Sequence, residues 1–161
     1  MVWVVSLGAE ICGETDKGLT PDYVKYWPAL TPLERYGVSK AGNWLHAVEY
    51  AKRLQRDGVI SVPCNPGHLK SELYRDGGRL FTAVLKSMVL YPPVYGAYTE
   101  LYSALSPGIT MEKSGEWVIP WGRLRPIRKD MQKAAKSKEE GGNGHATEFW
   151  EWTETMVSNF V

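Results

Sequence analysis

In the first 64 positions a short apolar run, a long amphipathic stretch and a run of β-branched residues follow one another. That order constrains the fold more than any other feature. Residues 2–6 are apolar up to Ser6 and stop at Gly8, the pattern of a short buried strand. From about Tyr36 to Arg56, Ala41, Trp44, Leu45, Val48 and Ala51 recur at steps of three and four, which predicts one amphipathic helix. Asp57-Gly58 ends it, glycine being the usual residue at the left-handed position after a helix. Val59 to Cys64 is rich in β-branched residues and reads as a second strand, closed by an Asn65-Pro66-Gly67 turn. Two strands joined through a helix pair in parallel by a right-handed crossover.

The remainder extends this plan. A further helix is expected over Arg79 to Leu90, a third strand over Glu116 to Pro120, and a last helix over Ala146 to Val157. Pro21, Pro28 and Pro32 make 11–35 a long loop holding at most a short helix, since each proline disfavours helix in the residue before it. Lys129 to Glu140 is charged and weakly amphipathic. The following Gly141-Gly142-Asn143-Gly144 reads as a linker, because it follows no apolar strand. The expectation is one α/β domain over 1–161, with three parallel strands and flanking helices.

Composition narrows the classes. Hydrophobic residues at 43% with charged residues at 23% exclude a disordered chain. No apolar run approaches the roughly 20 residues of a membrane span. Nineteen Lys and Arg against 18 Asp and Glu give no electrostatic case for nucleic acid or an anionic membrane. Two cysteines, Cys12 and Cys64, make neither a disulfide framework nor a metal site. The amino terminus has no basic, signal-like segment, so a cytoplasmic location is expected.

The chemistry lies in Tyr36-Gly-Val-Ser-Lys40. Positions i and i+4 of a helix are offset by only about 40° and about 6 Å, so Tyr36 and Lys40 share a face near the helix start. A free phenol has a pKa near 10, and bringing it to neutrality needs about 4 kcal/mol in favour of the anion. A neighbouring ammonium and the positive end of the helix dipole both act in that direction. Such a phenol can exchange a proton with a carbonyl or alcohol oxygen. Ser6 at the end of the first strand and the Asn65-Pro66-Gly67 turn at the end of the next fall on the same rim, where open α/β sheets place their sites.

Val4-Val-Ser6, Tyr36-Gly-Val-Ser-Lys40 and Asn65-Pro-Gly-His-Leu-Lys-Ser71 resemble, in order and spacing, successive motifs of the short-chain dehydrogenases/reductases. Tyr91-Pro-Pro-Val-Tyr-Gly-Ala-Tyr-Thr-Glu100 and Trp121-Gly-Arg123 resemble the fungal, retinol-dehydrogenase-like branch. The resemblance covers the whole chain but only the carboxyl-terminal half of a family member. It implies a partial Rossmann-like fold: a three-stranded remnant of the doubly wound sheet, without the glycine-rich nucleotide-binding half, its inner edge bare. Tyr36 then matches the catalytic acid/base, Lys40 the lysine that lowers the tyrosine pKa and binds the nicotinamide ribose, and Ser6 the serine that orients the substrate oxygen. Asn65, Pro66, Gly67 and Leu69 match the turn lining the nicotinamide, and Ser71 a hydroxyl that contacts the cofactor. The implied activity is NADP-dependent, in preference to NAD-dependent, carbonyl reduction or alcohol oxidation on a small molecule. Residues 69–115 would form the substrate side, and the helix from Tyr36 a homodimer contact.

Two other readings stand beside it. One is a truncated, inactive remnant. The other is a non-redox role, as a binding or dimerisation module or an acid/base enzyme needing no nucleotide. His46, His68 and His145 read as packed or surface residues, Cys64 as a buried strand residue, and the seven tryptophans as core anchors.

Overall fold

The computed structural model describes residues 1–11, 16–70 and 90–160. Cys12, Ser71 and, apart from Leu90, the helix expected over Arg79 to Leu90 lie outside the described residues. The described chain runs β1 (Val2–Val4), α1 (Gly8–Ile11), α2 (Pro21–Lys25), a single 3-10 turn (Trp27–Ala29), α3 (Pro32–Arg53), β2 (Val62–Cys64), α4 (Val94–Leu105), β3 (Val118–Ile119), β4 (Arg123–Leu124), α5 (Lys129–Ala135) and α6 (His145–Val157). A short 3-10 turn at Met111–Lys113 precedes β3. The sheet order is β1-β2-β3-β4. β1 and β2 pair in parallel with Val2 opposite Val62 and Val4 opposite Cys64, and β2 and β3 pair in parallel at Cys64 and Val118.

Alternation along the strands divides the core. Trp3, Val5, Trp117 and Ile119 face α3 and its cluster of Val38, Ala41, Leu45, Val48, Met131 and Phe149. Val2, Val62, Cys64 and Val118 face the other way, against Ile109 and Tyr102. The sheet therefore carries helix on both faces. Ser61 stitches sheet to helix, its hydroxyl donating to the Ala47 carbonyl at 2.9 Å and accepting from the Trp3 indole at 3.0 Å.

α3 is the spine, 22 residues and so about 33 Å long. It starts at Pro32 rather than Tyr36, because Pro32 occupies the first helical position, where its missing N–H costs nothing. Thr31 and Glu34 form a reciprocal cap: the Glu34 N–H donates to Thr31 Oγ1 at 3.3 Å, and the Thr31 N–H to Glu34 Oε2 at 2.8 Å. Pro21 likewise opens α2 behind a Thr20 cap. The prolines that mark 11–35 as loop thus start helices within it. Arg35 pins that segment down, its Nε donating to the Trp27 and Leu30 carbonyls at 3.1 and 3.0 Å and its Nη2 to the Pro28 carbonyl at 3.0 Å.

α6 lies against α3 through a buried polar contact. Glu49, 4% exposed, accepts from Arg53 Nε at 2.9 Å and Thr147 Oγ1 at 3.2 Å, and the Arg53 guanidinium lies 5.0 Å from the Trp150 ring centroid. His46 stacks on Trp3 at 5.8 Å and meets the edges of Phe149 and Trp150.

Two sequence expectations are corrected, and one helix appears where no element was expected. The sheet has four strands, not three, and is mixed: β4 runs antiparallel to β3, with Val118 opposite Leu124 and Ile119 opposite Arg123. The stretch 94–105, which shows no inward apolar stripe, is helix α4. Trp121 and Trp27 are exposed rather than core, whereas Trp44 and Trp117 are buried as expected. Cys64 is buried, and burial pushes its thiol up to about 11. Among the described residues no helix is long and apolar enough to cross a membrane.

Two outcomes follow. Thr31→Ala should cost about 1 kcal/mol in urea denaturation, because it strips the cap at the start of α3. An unchanged midpoint would contradict the capping role. Burial lowers the His46 pKa from its ordinary 6.5, opposed by the Glu154 carboxylate. The unfolded chain therefore binds this proton first. The contribution is complete above pH 6.5 and is lost as pH falls from there through the folded-state value. The melting temperature should drop across that interval in the native chain and less steeply in His46→Phe; parallel curves would refute the assignment.

Candidate active-site rim

The parallel strands end together, so the residues that follow them lie side by side. Val5 N–H donates to the Cys64 carbonyl at 2.8 Å, which carries the β1–β2 register on to Val5 opposite Asn65 and puts Ser6 one residue further along the same rim. Ser6 turns the chain into α1: its Oγ accepts from the Gly8 N–H at 3.1 Å. Gly8 then lies against the Cδ1–Cε1 edge of the Tyr36 ring. A Cβ at Gly8 would sit 2.8 Å from Tyr36 Cε1 and 3.0 Å from Cδ1, closer than carbon atoms pack. Only glycine lets the strand end approach the phenol, and this links Ser6 to Tyr36.

Lys40 follows on the same helix face, its Nζ 5.9 Å from the Tyr36 ring centroid. The ammonium also reaches the Val4 carbonyl at 3.5 Å, which accepts from Asn43 Nδ2 at 3.1 Å as well. In β1 the odd residues bond to β2, as Val5 does, so Val4 directs its backbone toward the outer edge. Lys40 and Asn43 therefore meet at the Val4 carbonyl, on the side of β1 away from β2. Asn43 and Gly8 are contributors that the sequence reading missed. Asn43 stands seven residues after Tyr36 and three after Lys40, a spacing that could have marked it as a third member of the face.

The Asn65-Pro66-Gly67 turn behaves differently. Asn65 is 7% exposed, its N–H donates to the Val118 carbonyl at 2.8 Å, and its Oδ1 accepts from the Gly67 N–H at 2.9 Å. Gly67 is left-handed at φ 100°, and a Cβ there would lie 3.0 Å from Pro120 Cγ. Pro66, Gly67 and Leu69 line a cavity of about 180 Å³ with Tyr91, Tyr95 and Trp121, beyond β2 on the same rim. Leu69 packs onto α4, where a Cβ at Gly96 would fall 2.3 Å from its Cδ1. The structure thus brings Lys40 and, through Gly8, Ser6 to Tyr36, leaves Asn65 opposite Val5, and turns Leu69 toward a separate cavity. Ser71 lies outside the described residues. Among the described residues no three His, Cys, Asp or Glu side chains form a metal-ligand group.

A sheet with helices on both faces, and polar side chains gathered beyond the carboxyl ends of its parallel strands, defines an open α/β protein of the kind that binds ligands at that rim. The chain is homologous along its whole length to fungal short-chain dehydrogenases/reductases. It is 58% identical over 161 residues to one from Neocamarosporium betae, an alignment covering 100% of this chain and 46% of the relative. It is 63% identical over 117 residues to one from Phaeosphaeria nodorum, covering 73% of this chain and 37% of that protein. A short-chain dehydrogenase/reductase from Phomopsis amygdali is 44% identical over 165 residues, covering 100% of this chain and 49% of its own length. The chain thus spans about half or less of the length of the curated relatives it matches. No family model matches it. A crystal structure of an uncharacterized protein from Mycobacterium paratuberculosis has the same fold over 98% of this chain and 49% of its own, at TM-score 0.56 and 19% identity.

Proposed function

We propose that Ser6, Tyr36 and Lys40 form the proton-handling part of an NAD(P)-dependent carbonyl reductase or alcohol dehydrogenase acting on a small molecule. The observation that carries this reading is the convergence on one phenol ring: Lys40 Nζ lies 5.9 Å from its centroid, and Gly8, bonded to Ser6, lies against its edge. The homologues, all named short-chain dehydrogenases/reductases, agree with it.

The residues fit one end of the cofactor. Tyr36, Lys40, Asn65, Pro66 and Gly67 border the rim where a nicotinamide and its ribose would lie, with Leu69 following in the chain; the role of Ser71, outside the described residues, rests on the family resemblance alone. NADP is assigned in preference to NAD on the family resemblance. The pyrophosphate end finds no match among the described residues. α1 is only 4 residues long, and the α3 amino terminus is already filled by the Glu34 carboxylate. A nicotinamide bound at the rim would supply or accept the hydride.

The chain's own groups handle the oxygen. In reduction Tyr36 gives its phenolic proton to the carbonyl oxygen, and in oxidation it takes that proton back. The Lys40 cation favours the phenolate left behind. Ser6 Oγ accepts from the Gly8 N–H, so its own proton is available to the substrate oxygen and holds it beside Tyr36. A homodimer through α3 has an observation against it: Leu33 is the one large apolar side chain of that helix that is exposed.

With NADPH and a panel of aldehydes and ketones, the 161-residue chain should oxidise the nucleotide, and Tyr36→Phe should lower kcat by about 10²–10⁴-fold without unfolding the protein. Near-normal turnover in that variant would sink the mechanism. No turnover on any carbonyl would remove the activity from this chain.

A further inference from the structure

Two sequence motifs have no part in that chemistry, Tyr91 to Glu100 and Trp121-Gly122-Arg123. They meet in space. The Trp121 ring lies edge-on to Tyr91 at 5.5 Å and to Tyr95 at 5.2 Å, and the two tyrosines lie edge-on to each other at 6.2 Å. These three rings wall the cavity of about 180 Å³ beside Pro66 and His68. All three are large aromatics left 39–54% exposed, although rings of this size normally bury their faces.

The cavity is held open by backbone constraints. Trp121 is the one non-glycine with positive φ among the described residues, at 71°, a conformation that bulky side chains rarely take. Gly122 follows at φ 64°, and a Cβ on it would meet the Tyr102 ring at 3.1 Å. Gly67 is packed against Pro120 and Gly96 against Leu69 in the same way. Three close-packed glycines thus surround a tryptophan whose side chain fills no core. Strain kept for an exposed ring marks a functional position.

We propose that this cavity binds a single aromatic ring bearing an anionic substituent, such as an aryl carboxylate. Size sets the first half: an apolar cavity of about 150 Å³ accommodates benzene, so this one holds one six-membered ring and a small substituent. Charge sets the second. Arg123 and His68 line the cavity, and no carboxylate does among the described residues. Arg123 is fixed at the rim, its Nε donating to the Pro120 carbonyl at 3.1 Å, and a guanidinium suits a carboxylate. The Arg123 guanidinium on its wall distinguishes this box from the aromatic cages that hold cations. The inference goes beyond the reductase reading: the cavity shares Pro66, Gly67 and Leu69 with the turn assigned there, but its aromatic and cationic walls, Tyr91, Tyr95, Trp121 and Arg123, have no part in that reading.

The test is a titration of the 161-residue chain, without nucleotide, with benzoate, benzyl alcohol and acetate, following the Gly67 backbone amide by NMR. Benzoate should shift that resonance saturably at about millimolar concentration, benzyl alcohol about tenfold more weakly, and acetate not at all. Arg123→Gln should bring benzoate down to the benzyl alcohol level and leave benzyl alcohol unchanged. Trp121→Gly suits the left-handed backbone and keeps the fold, and it should lose both probes. Tyr36→Phe should keep both, so a failed reductase would leave this result standing. Equal affinity for benzoate and benzyl alcohol, full binding by folded Trp121→Gly, or no saturable shift by about 20 mM would overturn it.

Discussion

The contact between Gly8 and the Tyr36 ring is the constraint on which the rest of the rim depends. It is the point where the end of β1 touches the second turn of α3, and a single methyl group there would overlap the ring. The Thr31 and Glu34 cap fixes where α3 begins, and hence that Tyr36 falls at the strand end rather than a third of a turn away. Behind it the Val38, Ala41, Leu45 and Val48 face locks the helix to the sheet, and the buried Glu49 with Thr147 locks α6 to the helix. Local capping, core packing and the position of one phenol are thus a single chain of causes.

Much of this was legible in the sequence, for physical reasons. The apolar period of α3 is that of a helix with one buried side, and the β-branched runs before and after it are strands of a sheet covered on both faces. Ser6, Tyr36 and Lys40 could be read because helical spacing and strand ends impose their juxtaposition. α4 could not, because its pattern is inverted. It buries Gly96, Thr99 and Ser103 and leaves Val94, Tyr98, Leu101 and Leu105 in solvent, so no inward apolar stripe announces it. β4 was hidden by a three-residue connection whose central residue is Trp121, where a left-handed backbone is normally signalled by glycine or asparagine. Gly8 was missed because its role is a close approach that only the folded neighbours reveal, whereas Asn43 carried a signal in its helical spacing from Tyr36 and Lys40.

The rim divides into two parts of different character. At the outer edge of β1 it is polar, with an ammonium and a carboxamide on the Val4 carbonyl and a phenol beside them. Beyond β2 it is aromatic, with rings held half-exposed around a small cavity. The Asn65-Pro66-Gly67 turn separates the two. It is rigid on both sides, bonded to β3 through Asn65 and packed on Pro120 through Gly67. A turn so held transmits the spacing of the strands directly to whatever binds on either side of it.

The central claim is that the Tyr36–Lys40 face, with the turn beside it, receives the nicotinamide end of a dinucleotide. It is tested most directly by titrating the purified 161-residue chain with NADPH and NADH and following energy transfer from its tryptophans. The account predicts saturable binding that weakens about tenfold or more when Lys40 is replaced by methionine. A folded chain that shows no saturable transfer up to about millimolar nucleotide, or whose affinity is indifferent to Lys40, would contradict it.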